Sequence, residues 1–210
     1  ILVKPEPYEY LFPKDMKVPK TVYLSSLGDT DAQYYRDIAA YLTDCPETFL
    51  TFQPGTYQMK MGVEALRPIY ERTDLFVVNK EEAERILGLS MPEPIPSLLE
   101  KVVALGPKRV IITDGRKGAF AYDGQKKLHV PMYPDVRPPF ERTGAGDSFA
   151  SAITAALTLG KPFEEALLWG PINSMSVVQE VGAQKGLLSR DALETYLAEA
   201  PPEYAITDLA

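Results

Sequence analysis

Along most of the chain, segments with the hydrophobic pattern of a strand alternate with segments with the hydrophobic pattern of a helix. This alternation predicts strands that are followed by helices. Short segments rich in apolar and β-branched residues, such as Leu75–Val78 and Arg109–Thr113, are typical of buried strands. Asp31–Leu42 instead has apolar residues three or four positions apart behind an acidic start, which predicts an amphipathic helix. This order favours a mostly parallel sheet with helices on both faces.

The same criteria place the remaining elements. The other predicted strands are Thr21–Ser25 and Thr48–Phe52, and Asp123-Gly124 predicts a tight turn between two further strands, Ala119–Tyr122 and Lys127–Val130. The other predicted helices are Met59–Tyr70, Lys80–Leu87, Ser97–Leu105 and three more near 146–159, 163–180 and 190–199. Pro68 is expected to bend or end its helix.

The first residues differ from the rest. Ile1, Val3, Tyr8 and Tyr10 alternate as in a strand that is entered part-way, and a loop with Pro and Lys follows. We therefore interpret 1–20 as the remnant of a strand with its connecting loop and 21–210 as one α/β domain. Because the chain begins with Ile rather than Met, we also expect that an N-terminal segment is absent.

Composition limits the classes of partner. The net charge is −7 and the basic residues are not clustered, which argues against nucleic acid but not against a nucleotide, since local dipoles and a metal can hold phosphate. No apolar run approaches the roughly 20 residues of a membrane helix. The single cysteine, Cys45, excludes an intrachain disulfide and fits a cytoplasmic protein. The single histidine, His129, lies in a predicted hairpin strand and is interpreted as structural, which rules out a histidine triad.

The most informative segment is the glycine run Thr143-Gly144-Ala145-Gly146-Asp147, which precedes an apolar helix. Small residues at a helix start leave backbone N–H groups uncovered, and these groups stabilise an anion. Asp147 in the first turn could take a proton from an attacking hydroxyl. A plain helix cap explains the same residues equally well.

Two further segments follow predicted strands. Asn79 and Glu82 are three residues apart at the end of Leu75–Val78, so both can face one site and hold a hydrated Mg²⁺. Thr113, Asp114, Gly115 and Gly118 follow the next strand, where glycines permit close backbone approach to a nucleotide. Taken singly, an N-capped acidic helix and a tight connection are the better explanations.

In combination the three segments resemble the ribokinase-like (PfkB-type) carbohydrate kinases over about residues 21 to 200. The resemblance implies a three-layer α/β/α fold with only a remnant of the family's β lid. The motif that carries it most specifically is Glu141-Arg142-Thr143-Gly144-Ala145-Gly146-Asp147, and Asn79 and Glu82 match the family's Asn-x-x-Glu. Gly182-Ala183 is similar to a later Gly-Ala element that shapes the adenine pocket, and Asn173 lies where the family often lines that pocket.

The resemblance also implies roles. Asp147 would be the base, Gly144, Ala145 and Gly146 the anion hole, and Asn79 with Glu82 the organisers of Mg²⁺ beside ATP. Glu141 and Thr143 would border a monovalent cation, but Glu141 replaces the usual Asp, which leaves K⁺ activation open. Arg142 replaces a small residue and could instead reach a phosphate of the substrate or the nucleotide.

The implied function is transfer of the γ-phosphoryl group of ATP to a hydroxyl of a small sugar, with neither a membrane nor nucleic acid as partner. Because lid strands in this family often pair between subunits, a homodimer is a further implication. The acceptor stays open among fructose, ribose, a ketodeoxy acid, a sugar phosphate and a nucleoside, because most of the substrate-binding segment and lid are not found. A non-catalytic scaffold member is the alternative from another class. A dinucleotide-binding oxidoreductase is disfavoured, since no Gly-x-Gly-x-x-Gly joins a first strand to a helix.

Overall fold

The computed structural model describes residues 10–13, 16–28 and 31–209, so nearly all of the expected strand remnant at 1–10 lies outside the described residues. The chain contacts divide the protein into two compact units, Ile1–Ile111 and Ile112–Ala210. The strands are hydrogen-bonded in chain order, β1-β2-β3-β4 in the first unit and, because β4 straddles the boundary, β4-β5-β6-β7 in the second.

The first unit alternates strands and helices as the hydrophobic pattern predicts. Its elements are β1 (Thr21–Leu24), α1 (Ala32–Asp44), β2 (Phe49–Phe52), α2 (Thr56–Met61), α3 (Val63–Arg72), β3 (Leu75–Asn79), α4 (Lys80–Ile86), α5 (Ile95–Val103) and the start of β4 (Val110–Thr113). β1 pairs with β2 and β2 with β3 in parallel, with Thr21 opposite Phe49 and Thr51 opposite Leu75. The predicted parallel arrangement is therefore confirmed for these strands.

One predicted helix, Met59–Tyr70, is wrong in its extent. The segment forms two helices that are separated at Gly62, whose φ of 83° is left-handed and ends α2. Pro68 lies inside α3 without ending it. The buried face of α3, which includes Leu66 and Ile69, offsets the one backbone hydrogen bond that proline cannot donate.

The core of the first unit is built around aromatic rings and one buried carboxylate. Phe52, Tyr70 and Phe76 lie with ring centroids 5.3–5.6 Å apart. The carboxylate of Asp74 accepts hydrogen bonds from Arg72 at 2.9 Å and from the backbone N–H of Leu50 at 2.8 Å. Because these bonds satisfy the carboxylate within the protein, it fixes the start of β3 beside β2.

The second unit contains the antiparallel part of the sheet and three helices. Its elements are the end of β4, a 3₁₀ turn (Gly115–Lys117), β5 (Ala119–Tyr122), β6 (Lys127–Val130), α6 (Ala145–Thr158), α7 (Phe163–Val177), α8 (Arg190–Ala198) and β7 (Thr207–Asp208). The β5–β6 hairpin has the predicted bounds, and β7 adds antiparallel to β6. The sheet is therefore mixed.

Helices α6 and α7 pack closely, and a glycine permits it. A Cβ at Gly170 would lie 2.8 Å from side-chain atoms of both Phe149 and Ile153. Because contacts that short do not occur, the two helices could not approach as they do with a larger residue there. This packing fixes α6 against the middle of α7.

Candidate active site

A cavity of about 200 Å³ opens in the second unit between the end of β4, the loop before α6 and the facing side of α7. Its walls are mainly apolar on the α7 side and carry backbone and charged groups on the loop side. The lining residues are Thr113, Gly115, Arg116, Gly118, Ala119, Met132, Asp135, Pro139, Arg142, Ala145, Gly146, Phe149, Pro171, Ser174, Met175 and Val178. The structure thus brings the predicted glycine loop and the predicted glycine run to one cavity.

On the β4 side, the chain approaches itself too closely for a side chain. Gly118 has φ of 84°, and a Cβ there would lie 2.2 Å from the carbonyl oxygen of Val130. Thr113, Gly115 and Gly118 line the cavity, whereas the Asp114 carboxylate pairs with the Lys117 ammonium at 3.0 Å. Asp114 therefore supports the turn rather than the cavity wall.

On the α6 side, the helix begins on a left-handed glycine. Gly144 is the N-cap with φ of 80°, and its carbonyl accepts the N–H of Ser148 at 2.8 Å. The N–H of Ala145 donates to the carbonyl of Arg142 at 3.2 Å, while among the described residues no acceptor faces the N–H of Gly146, which lines the cavity. Of the predicted anion hole, Gly146 thus has its N–H available.

Asp147 lies in the first turn of α6, and its side chain is exposed. It follows Gly146 directly but is not part of the cavity wall. The partial positive charge at a helix N-terminus stabilises a carboxylate that lies next to it. The structure therefore sets an exposed carboxylate next in sequence to a residue that lines the cavity.

The predicted Gly182-Ala183 element packs against this same helix start. The Glu141 carboxylate accepts the N–H of Gly182 and, at 3.4 Å, the hydroxyl of Thr143. A Cβ at Gly144 would lie 2.5 Å from the Cβ of Ala183. Five of the residues singled out in the sequence are therefore neighbours, although 38 or more positions separate the two segments.

Asn173 is 4% exposed and does not line the cavity, although its neighbour Ser174 does. Its amide N–H donates to the carbonyl of Ser148 at 2.9 Å, and its amide oxygen accepts the N–H of Leu188 at 3.0 Å. The side chain thus ties α7 to the first turn of α6 and to the segment before α8. Its contact with an adenine ring stays a prediction.

Asn79 and Glu82 lie in the first unit, where they form a reciprocal cap at the start of α4. The N–H of Glu82 donates to the amide oxygen of Asn79 at 2.8 Å, and the N–H of Asn79 donates to the Glu82 carboxylate at 2.9 Å. The capping explanation from the sequence is therefore confirmed, and each side chain keeps further polar atoms. Within 10–13, 16–28 and 31–209, no cluster of three or more His, Cys, Asp or Glu side chains could hold a metal on its own.

Several wall residues were not found from the sequence. Met132, Asp135 and Pro139 come from a Pro-rich loop at 131–139, which has no hydrophobic periodicity to mark them. Pro171, Ser174, Met175 and Val178 follow a spacing of three, four and seven along α7, and that spacing could have indicated a common face.

One ion cluster joins the two loops that flank the cavity, and we call it the Glu180 latch. Its carboxylate pairs with Arg137 at 2.7 Å and with Lys185 at 2.8 Å. Hydrogen bonds and charge from Lys185 and Arg137 lower the pKa of Glu180 to about 2. Beside the latch, the N–H of Phe140 donates to the carbonyl of Val178 at 2.7 Å. The latch therefore holds the Pro-rich loop against the end of α7.

Named proteins resemble this chain in sequence, and a solved structure resembles it in fold. A nucleoside kinase of Methanocaldococcus jannaschii is 33% identical over 142 residues, which cover 68% of this chain and 45% of the relative. Ribokinase of Bacillus subtilis is 34% identical over 100 residues, 48% of this chain and 33% of the relative. The structure of Arabidopsis thaliana ribokinase complexed with ribose and ATP superposes with a TM-score of 0.73 at 23% identity, covering 85% of this chain and 55% of that one.

The chain spans about half the length, or less, of these relatives. No helix among the described residues is both long and apolar enough to cross a membrane. The model of the pfkB family carbohydrate kinases matches residues 20–190, which include the glycine run, the cavity and the Asn79–Glu82 cap. With that match over most of its length, the chain belongs to the pfkB family of carbohydrate kinases.

Proposed function

We propose that this chain supplies the nucleotide-binding and phosphoryl-transfer part of an ATP-dependent carbohydrate kinase. The observation that carries the proposal is the start of α6, where Gly146 lines the cavity, its N–H has no hydrogen-bond partner among the described residues, and the next residue is Asp147. An anion-binding helix start beside a carboxylate is what transfer of a phosphoryl group to a hydroxyl requires. The family match over this segment supports the same assignment.

In this proposal Asp147 is the catalytic base. Its carboxylate takes the proton of the acceptor hydroxyl as the hydroxyl oxygen forms a bond to the γ-phosphorus, and the bond from that phosphorus to the β-phosphate oxygen breaks. The exposed position of Asp147 leaves it open to an acceptor from outside the cavity.

The anion hole is proposed to consist of the backbone at Gly144, Ala145 and Gly146. Because the N–H of Ala145 already bonds to Arg142, the N–H of Gly146 is the strongest candidate for direct contact with the phosphoryl oxygens. Gly144 and Ala145 then act by shaping the turn. Fixed N–H donors stabilise charge that develops in the transition state without having to reorient.

The chemistry of the cavity walls supports a nucleotide as the ligand. Apolar groups on α6 and α7, such as Phe149 and Met175, suit a flat base, and Gly118 lets the backbone come close because it carries no side chain. When bound, ATP supplies the phosphoryl group and Mg²⁺ neutralises phosphate charge. We propose that Asn79 and Glu82 organise Mg²⁺ through water.

The monovalent-cation role of Glu141 and Thr143 is a separate proposal. Because the Glu141 carboxylate already bonds to the N–H of Gly182 and the hydroxyl of Thr143, a K⁺ ion would have to share it with these donors. A weak or missing dependence on K⁺ is therefore the expected behaviour.

We propose a small sugar as the acceptor. A nucleoside is the second candidate, because the relative named nucleoside kinase aligns with 68% of the chain at 33% identity. A homodimer is proposed on the family resemblance alone.

The test is ATP-dependent phosphorylation across a panel of sugars, sugar phosphates and nucleosides, measured with Asp147→Asn alongside. We expect turnover on at least one acceptor and a loss of at least about 10²-fold in kcat for the variant, as for removal of a general base. Asp191→Asn is the matched control, because Asp191 occupies the first turn of α8 in the same unit. A wild-type chain that neither binds ATP nor phosphorylates any acceptor would instead fit the scaffold alternative.

A further inference from the structure

Two arginines line the cavity from different loops. Arg116 lies in the 3₁₀ turn after β4, and Arg142 lies two residues before the N-cap of α6. They are separated by 26 positions in the chain, yet both contribute to the same wall surface. Together with Asp135 they are the charged residues of the lining, so the cavity is cationic although the chain as a whole is acidic.

Arg116 and Arg142 have no partner among the residues that the structure describes, whereas the other two arginines of this unit do. Arg137 pairs with Glu180 at 2.7 Å and Arg190 with Glu194 at 3.0 Å, and none of these four residues lines the cavity. Arg116 and Arg142 are exposed and have no ion pair or side-chain hydrogen bond to any described residue. A guanidinium has five N–H donors, so two such groups at one cavity leave many donors for a ligand.

The remaining walls limit what that ligand is. Ala119, Phe149, Met175 and Val178 provide an apolar surface, and Gly146 provides a backbone N–H. A ligand that matches both the apolar wall and the two arginines has a flat apolar group and more than one anionic group. A guanidinium binds phosphate oxygens in pairs, which a single ammonium cannot do.

We propose that Arg116 and Arg142 bind the polyphosphate of the nucleotide and make the site select by the number of phosphates, an inference that rests on the proposed function. Arg142 is adjacent to the helix start, so it contacts the terminal phosphates together with the N–H of Gly146. Arg116 contacts the same chain of phosphates from the β4 side. Neither residue is assigned a part in the chemical step.

The experiment measures dissociation constants of ATP, ADP, AMP and adenosine by calorimetry, for the wild-type chain and for Arg116→Ala, Arg142→Ala and Arg142→Lys. We expect each alanine variant to bind ATP at least about tenfold more weakly and adenosine equally well, as for the loss of one charge-assisted hydrogen-bonding group. Arg142→Lys should fall between, because it keeps the charge but loses the paired geometry. Arg190→Ala is the control with the same change in charge outside the cavity.

The outcomes separate the inference from the function on which it rests. If the wild-type chain binds neither ATP nor adenosine, the nucleotide site itself is refuted and the inference with it. If ATP binds but the ratio of ATP to adenosine affinity is the same in the wild type and both alanine variants, the inference alone is overturned. A further titration uses fructose 6-phosphate; if Arg142→Ala weakens only that ligand, the arginine binds a phosphorylated acceptor and the inference is likewise overturned.

Discussion

At the scale of single residues, Gly144 has the most demanding position in the site. Its φ of 80° is one that residues with a Cβ rarely adopt, and a Cβ would also meet the Cβ of Ala183 at 2.5 Å and its Cα at 2.8 Å. The residue therefore meets two separate requirements, one of the backbone and one of the neighbouring loop.

The first prediction separates these two requirements. Gly144→Ala should destabilise the protein by more than Gly160→Ala, because Gly160 has a similar φ of 82° but no atom within 4 Å of its added Cβ. We expect Gly160→Ala to lower the free energy of unfolding by about 1–2 kcal/mol from backbone strain alone, and Gly144→Ala to lower it by more. Urea unfolding of both variants measures the difference, and equal losses would show that the contact with Ala183 has no cost.

Which residues the sequence could identify depends on how local their signal is. Gly144, Gly146 and Asp147 are candidates from the sequence because a run of small residues directly precedes an apolar helix. Arg116 and Met175 are not found, because nothing near them in sequence shows that they share a cavity. Their proximity results from tertiary packing of three separate segments.

At the scale of elements, the start of α4 has one observed role, which is capping, and one proposed role, which is metal binding. Asn79 caps it through its amide oxygen, and the same side chain is proposed to organise Mg²⁺. A serine at this position could still accept the N–H of Glu82 but would lack the amide.

Substitution at Asn79 should therefore separate capping from metal binding. Asn79→Ala should cost about 1 kcal/mol in the free energy of unfolding, whereas Asn79→Ser should leave it nearly unchanged. Both should raise the Mg²⁺ concentration needed for half-maximal nucleotide binding, if the amide organises the ion. Thermal unfolding and Mg²⁺ titration at fixed ATP provide the two measurements. A normal Mg²⁺ requirement in Asn79→Ser would restrict Asn79 to capping.

The Glu180 latch predicts a particular dependence on pH. The pKa of Glu180 is lowered in the folded protein from an ordinary 4.5 to about 2. The contribution of its carboxylate to stability is therefore present above about pH 4.5 and is lost as the pH falls towards 2. Glu180→Gln removes the carboxylate that titrates. The variant should therefore lose less stability than the wild type between pH 5 and about pH 2.5, as measured by urea unfolding. Parallel pH profiles for the two proteins would contradict the latch.

Hydrophobic patterns predict the bounds of some elements of this protein correctly and miss others. The β5–β6 hairpin matches its predicted bounds because Asp123-Gly124 marks the turn and the flanking residues alternate. The division of 59–70 into α2 and α3 was missed, because the apolar spacing continues across Gly62 and only the backbone conformation there interrupts it. β7 is two exposed residues long, so it has no hydrophobic pattern to detect.

At the scale of the whole molecule, the nucleotide site is proposed to lie within residues 112–210, in the cavity between β4, the Pro-rich loop and α7. The family match over residues 20–190 supports this chemistry. Binding of the nucleotide in this cavity is therefore what an experiment must establish first.

The most direct test is a crystal structure of the 210-residue chain with a non-hydrolysable ATP analogue and Mg²⁺. The proposal predicts the base against Phe149 and Met175, and the phosphates at the N–H of Gly146, close to Arg142. An analogue bound elsewhere on the chain, with this cavity empty, would contradict it.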